Sequence, residues 1–474
     1  MRVKIHSCLF FLLALCTGVQ AQSEKKVLQA IDARTDKYEG IAMQIWEWAE
    51  MGYQETQSSG LLQHTLKDAG FKITPGIADI PTAFVAEYGS GGPVVAILGE
   101  FDALPGLSQQ AIPEKASAGK IGGHACGHHL FGTASAAAAI SLKEWLEQSK
   151  KPGRIRFYGC PAEEGGGAKV YMSRAGVFDD VDVALHWHPG SSNAANSAAA
   201  LANISAKFRF YGTSAHAAGA PHQGRSSLDG VEAMNVMVNM MREHIPQESR
   251  IHYVITDGGK APNVVPDFAE VYYYARHPRR DELRSIFQRI VKAGEGAALG
   301  TDTRMEYEVI NGVHELLPNS TLQQLVYSKL EELGGFGYTK EEELFAEKIS
   351  KTLSNPKPLA SSQEVQPYSE IGRAGGSTDV GDVSFVVPTV GFRTATWVPG
   401  TPAHSWQAVA AGGTSIGTKG MILATKTLTL TGIDLFKNPG LIKAAKKEFQ
   451  ERRGQGFVYQ PLVGDRKPAL DYRN

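Results

Sequence analysis

The sequence predicts an α/β fold with a mostly parallel sheet, into which a smaller α+β domain is inserted. Between residues 82 and 190, short apolar segments alternate with helical ones, which is the pattern of a parallel sheet covered by helices. Over roughly residues 201–314 the order changes to β-α-β-β-α-β, the ferredoxin-like arrangement. The α/β pattern then resumes, so the second domain interrupts the first.

The size and composition are those of a globular protein with more than one core. A chain of 474 residues exceeds what one small hydrophobic core organises, which indicates two domains. Hydrophobic residues make up 42% and charged residues 20% of the chain, and the net charge is -1. Because nucleic-acid-binding proteins carry a basic surface, this balance favours no nucleic-acid partner.

The N-terminus has the pattern of a secretory signal peptide. Arg2 and Lys4 form a basic start, Leu9–Leu15 is a short apolar run, and Val19 and Ala21 precede the expected cleavage point. The run is shorter than the ~20 residues that a membrane-spanning helix needs. We therefore expect removal of residues 1–21 and a periplasmic or secreted mature chain that no longer contacts the membrane.

The cysteines indicate no disulfide. A lipoprotein cleavage at Cys16 is disfavoured, because Leu15 is bulky where a small residue is required. The mature chain would keep Cys126, which is flanked by histidines, and Cys160, which ends an apolar strand. A free cysteine in such a strand packs as a small hydrophobic residue.

The first part of the larger domain supplies most of the candidate site. Residues 24–70 have helical periodicity. The strands "TAFVAEYG" and "PVVAILGEFDALPG", the helix "GTASAAAAISLKEWLEQ" and the strands "RIRFYGCPAEEGGG" and "VDVALHWHPG" follow. Ligands of parallel sheets bind beyond the carboxyl ends of the strands. The residues at those ends are Asp102, Glu163, Glu164, His186 and His188.

The domain boundaries follow from these patterns. We assign residues 22–198 and 315–474 to a metal-binding catalytic domain and residues 199–314 to the inserted domain, called the lid. The polar tail after about residue 451 is expected to pack irregularly on the surface.

Four segments of the catalytic domain carry metal-ligand chemistry: "GHACGHH", "PAEEGGG", "ALHWHPG" and "TPAHSW". Together they supply a thiolate, imidazoles and adjacent carboxylates, the ligand mix of Zn²⁺ or a similar divalent ion. In the carboxylate pair, one glutamate can bind metal while its neighbour takes a proton from water. The pair is also favoured at the start of the helix that follows, by the helix dipole, and the two interpretations are compatible.

These and other segments resemble one superfamily of metallopeptidases over nearly all of the mature chain. They are "GEFDALPG", "GHACGHHLFG", "PAEEGGGAK", "GTSAHAAGAPHQGRSSLDG", "APNVVPDFAEVYYYAR" and "GTPAHSW". The superfamily contains aminoacylases, carboxypeptidase G and indole-acetyl-amino-acid hydrolases, and the nearest branch is that of the aminobenzoyl-glutamate hydrolases, in their B-type chain. The resemblance implies hydrolysis of small N-acyl or N-aroyl amino acids or dipeptide-like compounds.

The resemblance also implies cofactors and partners. The family binds two divalent metal ions, Zn or Mn, and the lid implies a homodimer or pairing with a related second subunit. The alternative is a partner-dependent or non-catalytic periplasmic binding subunit. A serine hydrolase is disfavoured, because "GTSAHA" lacks the flanking glycines of a nucleophile elbow.

By resemblance, the catalytic domain supplies the ligands and the general base. Glu163 is implied as the general base. The implied metal ligands are Cys126, His128, Glu164, His188 and His404. Other branches of the family favour His186 in place of His188, so both stay open.

The neighbours of these ligands have supporting roles. Asp102 is expected to orient a ligand. His129 stands where relatives usually carry Asn or Asp, so it is either a hydrogen-bond partner or an extra ligand. His124 is expected to be structural or to support a ligand, and Thr378 and Asp379 are candidates for substrate contact.

By resemblance, the lid supplies substrate contacts. His216 is implied to reach the active site of a partner subunit and steady the oxyanion. Asn263 and Arg276 are implied to hold the substrate, and Arg276 can grip a carboxylate with two hydrogen bonds. Without the resemblance, Arg276 is interpreted as a surface residue of a strand.

Overall fold

The structure is a computed structural model that describes residues 22–195, 200–370 and 376–473. The predicted signal peptide, residues 1–21, and the predicted domain boundary at residues 198–199 lie outside the described residues. The described chain contains a six-stranded sheet, a four-stranded sheet and a two-stranded one.

The six-stranded sheet has the order β1-β2-β6-β3-β7-β12. Its strands are β1 (Lys72–Pro75), β2 (Phe84–Ser90), β3 (Val94–Glu100), β6 (Gly153–Cys160), β7 (Val183–Gly190) and β12 (Thr389–Ala395). Strands β6, β3, β7 and β12 pair in parallel, whereas β1 and β2 pair antiparallel at one side. The prediction of a mostly parallel sheet is confirmed.

Helices cover both faces of this sheet. Successive residues of a strand point to opposite faces, so Val95 and Ile97 of β3 pack in one core while Ala96 and Leu98 pack in the other. The helical segments of this part are α1 (22–32), α2 (Thr35–Trp48), α3 (Thr56–Asp68), α4 (His128–Ser149), α5 (Ala168–Arg174), α8 (Ser320–Leu333), α9 (Lys340–Ser350), α10 (Val380–Ser384), α11 (Trp406–Gly412), α12 (Ser415–Lys437) and α13 (Pro439–Arg453).

The long helices α4 and α12 pack against each other in the first of these cores. Both are apolar on most faces because they are buried on most faces, as expected for central helices. Within the part of the chain that the structure describes, no helix is both long enough and apolar enough to cross a membrane.

The lid contains the four-stranded antiparallel sheet, with the order β11-β8-β10-β9. Its elements are β8 (Ala202–Tyr211), α6 (Ser227–Met241), β9 (Arg250–Asp257), β10 (Phe268–His277), α7 (Arg280–Thr301) and β11 (Arg304–Val313). The chain order is the predicted β-α-β-β-α-β. Helices α6 and α7 cover one face, where Phe208, Phe210 and Tyr273 form the core with them.

Short elements complete the described chain. Strands β4 (Leu104–Pro105) and β5 (Gly122–Gly123) form the two-stranded sheet, and short 3₁₀ turns occupy Ile77–Asp79, Pro221–Gln223, Arg242–His244 and Leu359–Gln363. Strand β4 follows β3 and β5 precedes α4, so this small sheet lies in the connection that leads to the candidate site.

The C-terminal tail differs from the expectation. After α13 it is irregular, as expected, but it does not lie only on the surface. Leu462 belongs to the core of the lid, Val463 to a core of the catalytic domain, and Tyr472 packs against Tyr53. Local polarity suggested a surface segment because it does not report that two adjacent apolar residues anchor the tail in two different cores.

Helix α4 crosses the end of β3 at a glycine. A Cβ on Gly132 would lie 2.7 Å from the carbonyl oxygen of Glu100, whereas a Cβ on Gly60 in α3 would meet no atom within 4 Å. We expect Gly132→Ala to lower the free energy of unfolding by about 1–3 kcal/mol through overpacking. Gly60→Ala should raise it by about 0.5–1 kcal/mol through helix propensity. Urea denaturation measures both, and equal shifts of one sign would contradict this packing.

Candidate active site

The candidate site lies where three parallel strands end. Strand β3 ends at Glu100, β6 leads into the loop of Glu163 and Glu164, and β7 carries His188. Helix α4 begins at His128 beside these ends. The prediction that these residues share one edge of the sheet follows from parallel strand order, and the structure places them there.

The five implied metal ligands come together around one thiol. The ligand atoms of Cys126, His128 and His188 lie within 4.8 Å of one another, and so do those of Cys126, Glu164 and His404. Cys126 Sγ lies 3.4 Å from His188 Nε2, and His404 Nε2 lies 3.0 Å from Glu164 Oε1. Because Cys126 belongs to both groups, the two groups are adjacent.

The donor atoms fit a divalent cation. A thiol, imidazoles and a carboxylate are the ligands that Zn²⁺ takes in proteins. Glu164 Oε1 and His128 Nε2 are buried and face other polar groups, but neither makes a hydrogen bond of acceptable geometry with a described residue. Burial, with the Glu164 charge, raises the pKa of the Cys126 thiol, and a bound cation is what would deprotonate it. The atoms therefore converge as they would on an ion.

Asp102 ties two of these ligands together. Its Oδ1 lies 2.8 Å from His128 Nδ1, and its Oδ2 accepts a 2.9 Å hydrogen bond from the backbone N–H of Glu164. Burial alone would raise the pKa of Asp102, but the His128 ring and the Glu164 amide hold it below its usual value. An ionised Asp102 orients the His128 ring so that Nε2 faces the site, the supporting role expected from the sequence.

The two glutamates of the loop join different groups. Glu164 lies with Cys126 and His404, whereas Glu163 lies with Glu100 and His128 within 4.8 Å. Burial, together with the charges of Glu100 and Glu164, raises the pKa of Glu163 well above its usual value. A carboxyl with raised proton affinity beside a ligand cluster has the placement of a general base.

Sequence reasoning missed a buried ion network behind Glu163. Lys169 Nζ lies 2.7 Å from Glu100 Oε1 and 2.7 Å from Asp379 Oδ1, and all three side chains are buried. Asp379 also accepts a hydrogen bond from the Lys169 backbone N–H. Asp379 is therefore a structural partner of Lys169, not the substrate contact that its sequence context suggested. The available signal was a lone lysine in the apolar start of α5.

Glu55 was also missed. Its Oε1 accepts a 2.8 Å hydrogen bond from the Ala162 backbone N–H, and its Oε2 accepts a 3.0 Å bond from Thr82 Oγ1. Burial and the charge of Asp102 raise the pKa of Glu55 to about 8. Ala162 has a left-handed backbone with φ 54°, so Glu55 braces a strained residue directly before Glu163. Nothing local in the sequence marks Glu55.

The two histidines of β7 have different surroundings. His188 contacts Cys126, whereas both ring nitrogens of His186 are buried without a hydrogen-bond partner among the described residues. The His186 ring lies over Gly391 of β12, where any side chain would overlap it. The structure places His188, and not His186, in the ligand group.

The other histidines near α4 bind backbone carbonyls. His129 Nε2 lies 3.0 Å from the carbonyl oxygen of Gly412, and His124 Nε2 lies 3.0 Å from that of Ile45. Burial lowers the pKa of His129 to about 3, so the ring is neutral. His129 is a hydrogen-bond partner that joins α4 to α11, and neither ring belongs to the ligand groups found among the described residues.

The structure does not bring the three implied lid residues to this cluster. His216 is exposed, and its Nδ1 accepts hydrogen bonds from the backbone N–H groups of Ala218 and Gly219. This leaves the proton of the neutral ring on Nε2. Asn263 is exposed, and the half-buried Arg276 lies over the ring of Tyr274 at 5.6 Å. Their observed partners belong to the lid.

The chain is similar to known hydrolases over most of its length. A peptidase dimerisation domain matches residues 201–300. The B-type chain of the p-aminobenzoyl-glutamate hydrolase of Escherichia coli is 43% identical, over 89% of this chain and 94% of that protein. The Xaa-Arg dipeptidase of Mus musculus is 29% identical, over 90% of this chain and 92% of that protein. The fold matches a dinuclear metal-binding M20 peptidase of Bacillus subtilis with a TM-score of 0.60 at 17% identity, covering 86% and 99% of the two chains.

The two histidines of β7 give a matched pair of variants. We expect His188→Ala to weaken Zn²⁺ binding at least about tenfold, and His186→Ala to change it less than about threefold, because only His188 lies beside Cys126. Competition with a chromogenic chelator measures both affinities. The reverse order would assign the ligand to His186.

Proposed function

The chain belongs to the M20 family of metallopeptidases and amidohydrolases, and on this premise we propose that it hydrolyses the amide bond of small N-acyl or N-aroyl amino acids. The observation that carries the proposal is the division of the carboxylate pair. Glu164 lies in a group of candidate metal ligands, and its neighbour Glu163 lies beside that group with Glu100 and His128. Amide hydrolysis at a metal site needs this combination of a ligand and a separate base.

The residues present would hold two divalent metal ions, Zn or Mn. When bound, such ions polarise the amide carbonyl and make water a better nucleophile. The ligands would be Cys126, His128, Glu164, His188 and His404. The thiol among them favours Zn or another thiophilic ion.

Proton transfer falls to Glu163. Its carboxylate takes the proton of the attacking water and gives it to the leaving amine, so one group acts as base and then as acid. Asp102 keeps the neighbouring His128 ring oriented throughout, because its own charge is held by two hydrogen-bonding partners.

The lid supplies the remaining contacts. The exposed ring of His216 carries its proton on Nε2, which suits it to donate to the oxyanion of the tetrahedral intermediate. Arg276 binds the carboxylate of the amino-acid part of the substrate, and Asn263 helps to hold the substrate. Because His216 bonds within its own lid, we propose that it serves the active site of a second copy.

The proposed dimer uses the open side of the lid. Strand β9 is the free edge of the lid sheet and exposes Val254 and Ile255. Helix α6 next to it exposes Val236, Met237 and Met240. An unpaired edge strand beside apolar side chains is suited to pairing with an identical surface.

The substrate class follows the most similar relatives. One is a chain of a p-aminobenzoyl-glutamate hydrolase and another an Xaa-Arg dipeptidase, whose named substrates share an amide bond to an amino acid. We propose aminobenzoyl-glutamate-like compounds and small dipeptides as substrates. We further propose that residues 1–21 export the chain to the periplasm or the medium.

Replacement of the base tests the mechanism. We expect Glu163→Gln to bind metal like the wild type while turnover falls about 10²–10⁴-fold, because the proton acceptor is lost. Metal analysis and amine release on the same preparation measure both quantities. Glu164→Gln is the matched variant, and it should lose metal. Full activity of metal-loaded Glu163→Gln would contradict the mechanism.

Charges placed on α6 test the dimer. We expect Met237→Glu combined with Met240→Glu to give a monomer that lacks turnover, because the interface would bury these charges and the partner's lid would be absent. Light scattering and amine release measure this. Leu344→Glu, on an exposed position of α9 in the catalytic domain, should leave a dimer with full turnover.

Mixing two variants tests whether His216 acts across the dimer. Glu163→Gln and His216→Ala chains, each of low activity, should regain turnover after subunit exchange, since some sites then hold an intact Glu163 and an intact partner lid. Absence of regained activity in a verified mixed dimer would place His216 outside the partner's site.

A further inference from the structure

We propose that Tyr472 and Arg473, at the end of the C-terminal tail, are positioning residues that hold the loop of Glu163 and Glu164 in its working geometry. The inference rests on the proposed function for its catalytic consequence, although the contacts that carry it are independent of the reaction. It assigns a role to a segment that the sequence suggested was only a surface tail.

Both side chains bind the same backbone oxygen of the loop. Tyr472 Oη donates a 3.0 Å hydrogen bond to the carbonyl oxygen of Glu164, and Arg473 Nη2 donates a 2.5 Å bond to the same atom. One donor is charged, which makes its hydrogen bond stronger than a neutral one. The carbonyl belongs to the residue whose carboxylate is a candidate metal ligand, so its placement affects that carboxylate directly.

The loop needs such external contacts. It contains Gly165 and Gly167 with positive φ of 99° and 66°, and Ala162 in the same region of backbone space. Glycine has wide backbone freedom, so the sequence of the loop does not select one conformation by itself. Its other outside contacts are Glu55 to the Ala162 N–H, Asp102 to the Glu164 N–H and the Tyr53 hydroxyl to the Gly166 carbonyl.

The seat of Tyr472 is shaped to receive it. Its ring packs edge-on against Tyr53, with ring centroids 5.6 Å apart and planes at 75°. Tyr53 itself donates to the Gly166 carbonyl, so the two packed rings hold the loop at two nearby points. Gly52 precedes Tyr53, and a Cβ at that position would overlap the hydroxyl oxygen of Tyr472.

The tail reaches this seat as a fixed segment. Leu462 is buried in the core of the lid and Val463 in a core of the catalytic domain. Arg174 of α5 donates to the carbonyl oxygens of Gly464 and Arg466 at 2.8 Å each. With buried anchors in two cores, the tail presents its last residues to the loop in one position.

The same segment also contacts the lid. Arg466 lies 2.8 Å from Glu308 Oε1 and donates to the carbonyl oxygen of Ile310, both on strand β11. Residues 462–473 therefore join the lid to the carboxylate loop, in addition to the chain connections between the two domains.

The test uses the purified chain loaded with Zn²⁺ and three variants: Tyr472→Phe, Arg473→Met and the double variant. Tyr459→Phe is the matched control, because it removes the same hydroxyl from the same tail, where it donates to Asp382 Oδ1 at 2.7 Å. Hydrogen exchange followed by mass spectrometry reports the loop without using activity. We expect exchange of residues 161–170 to accelerate about tenfold in the double variant and to stay unchanged in Tyr459→Phe.

The kinetic readout separates positioning from general stability. In the double variant we expect kcat for aminobenzoyl-glutamate to fall about tenfold or more while KM stays within about twofold, because the reacting groups and not the lid contacts are displaced. Arg473→Lys should regain part of the loss, since it restores a charged donor. Tyr459→Phe should keep kcat even if its melting temperature falls.

Two results would overturn the proposal. One is unchanged exchange of residues 161–170 in the folded double variant, and the other is acceleration of equal size in Tyr459→Phe. If the wild type hydrolyses no substrate, the proposed function fails, and the exchange result still decides whether the tail braces the loop.

Discussion

The candidate site depends on the buried carboxylate of Asp102. One of its oxygens orients the His128 ring at the start of α4, and the other holds the backbone N–H of Glu164. The helix and the loop are thereby fixed relative to each other, because separating either one leaves a buried charge without its partner, at a cost of about 1–3 kcal/mol or more. The convergence of the ligands on Cys126 follows from this connection.

The surroundings of Asp102 concentrate negative charge in a buried region. Lys169 balances Glu100 and Asp379, and burial, which lowers its pKa, is outweighed by these two carboxylates, so it stays charged. Glu55 and Glu163 have raised pKa values, caused mainly by burial and then by neighbouring carboxylates. A divalent cation would relieve this repulsion, so the electrostatics and the ligand geometry favour the same occupant.

Much of the fold and the ligand set could be predicted from the sequence. Apolar periodicity and strand order are local signals, and parallel topology brings strand ends together, so Glu164 and His188 were expected at one edge. Residues that act through long-range contacts were not expected. Glu55 meets Ala162, and Tyr472 meets Glu164, only after the chain has folded. Asp379 looked like a substrate contact because the lysine that neutralises it lies far away in the sequence.

The most direct measurement is amine release by the purified chain, stripped of metal and then reloaded with Zn²⁺ or Mn²⁺, on a panel of N-acyl amino acids that includes aminobenzoyl-glutamate. We expect no turnover by the stripped chain and restored turnover after reloading. Absence of turnover across the panel, with metal bound and the chain dimeric, would contradict the amidohydrolase function proposed for this chain alone, and would favour a missing partner subunit or a binding role.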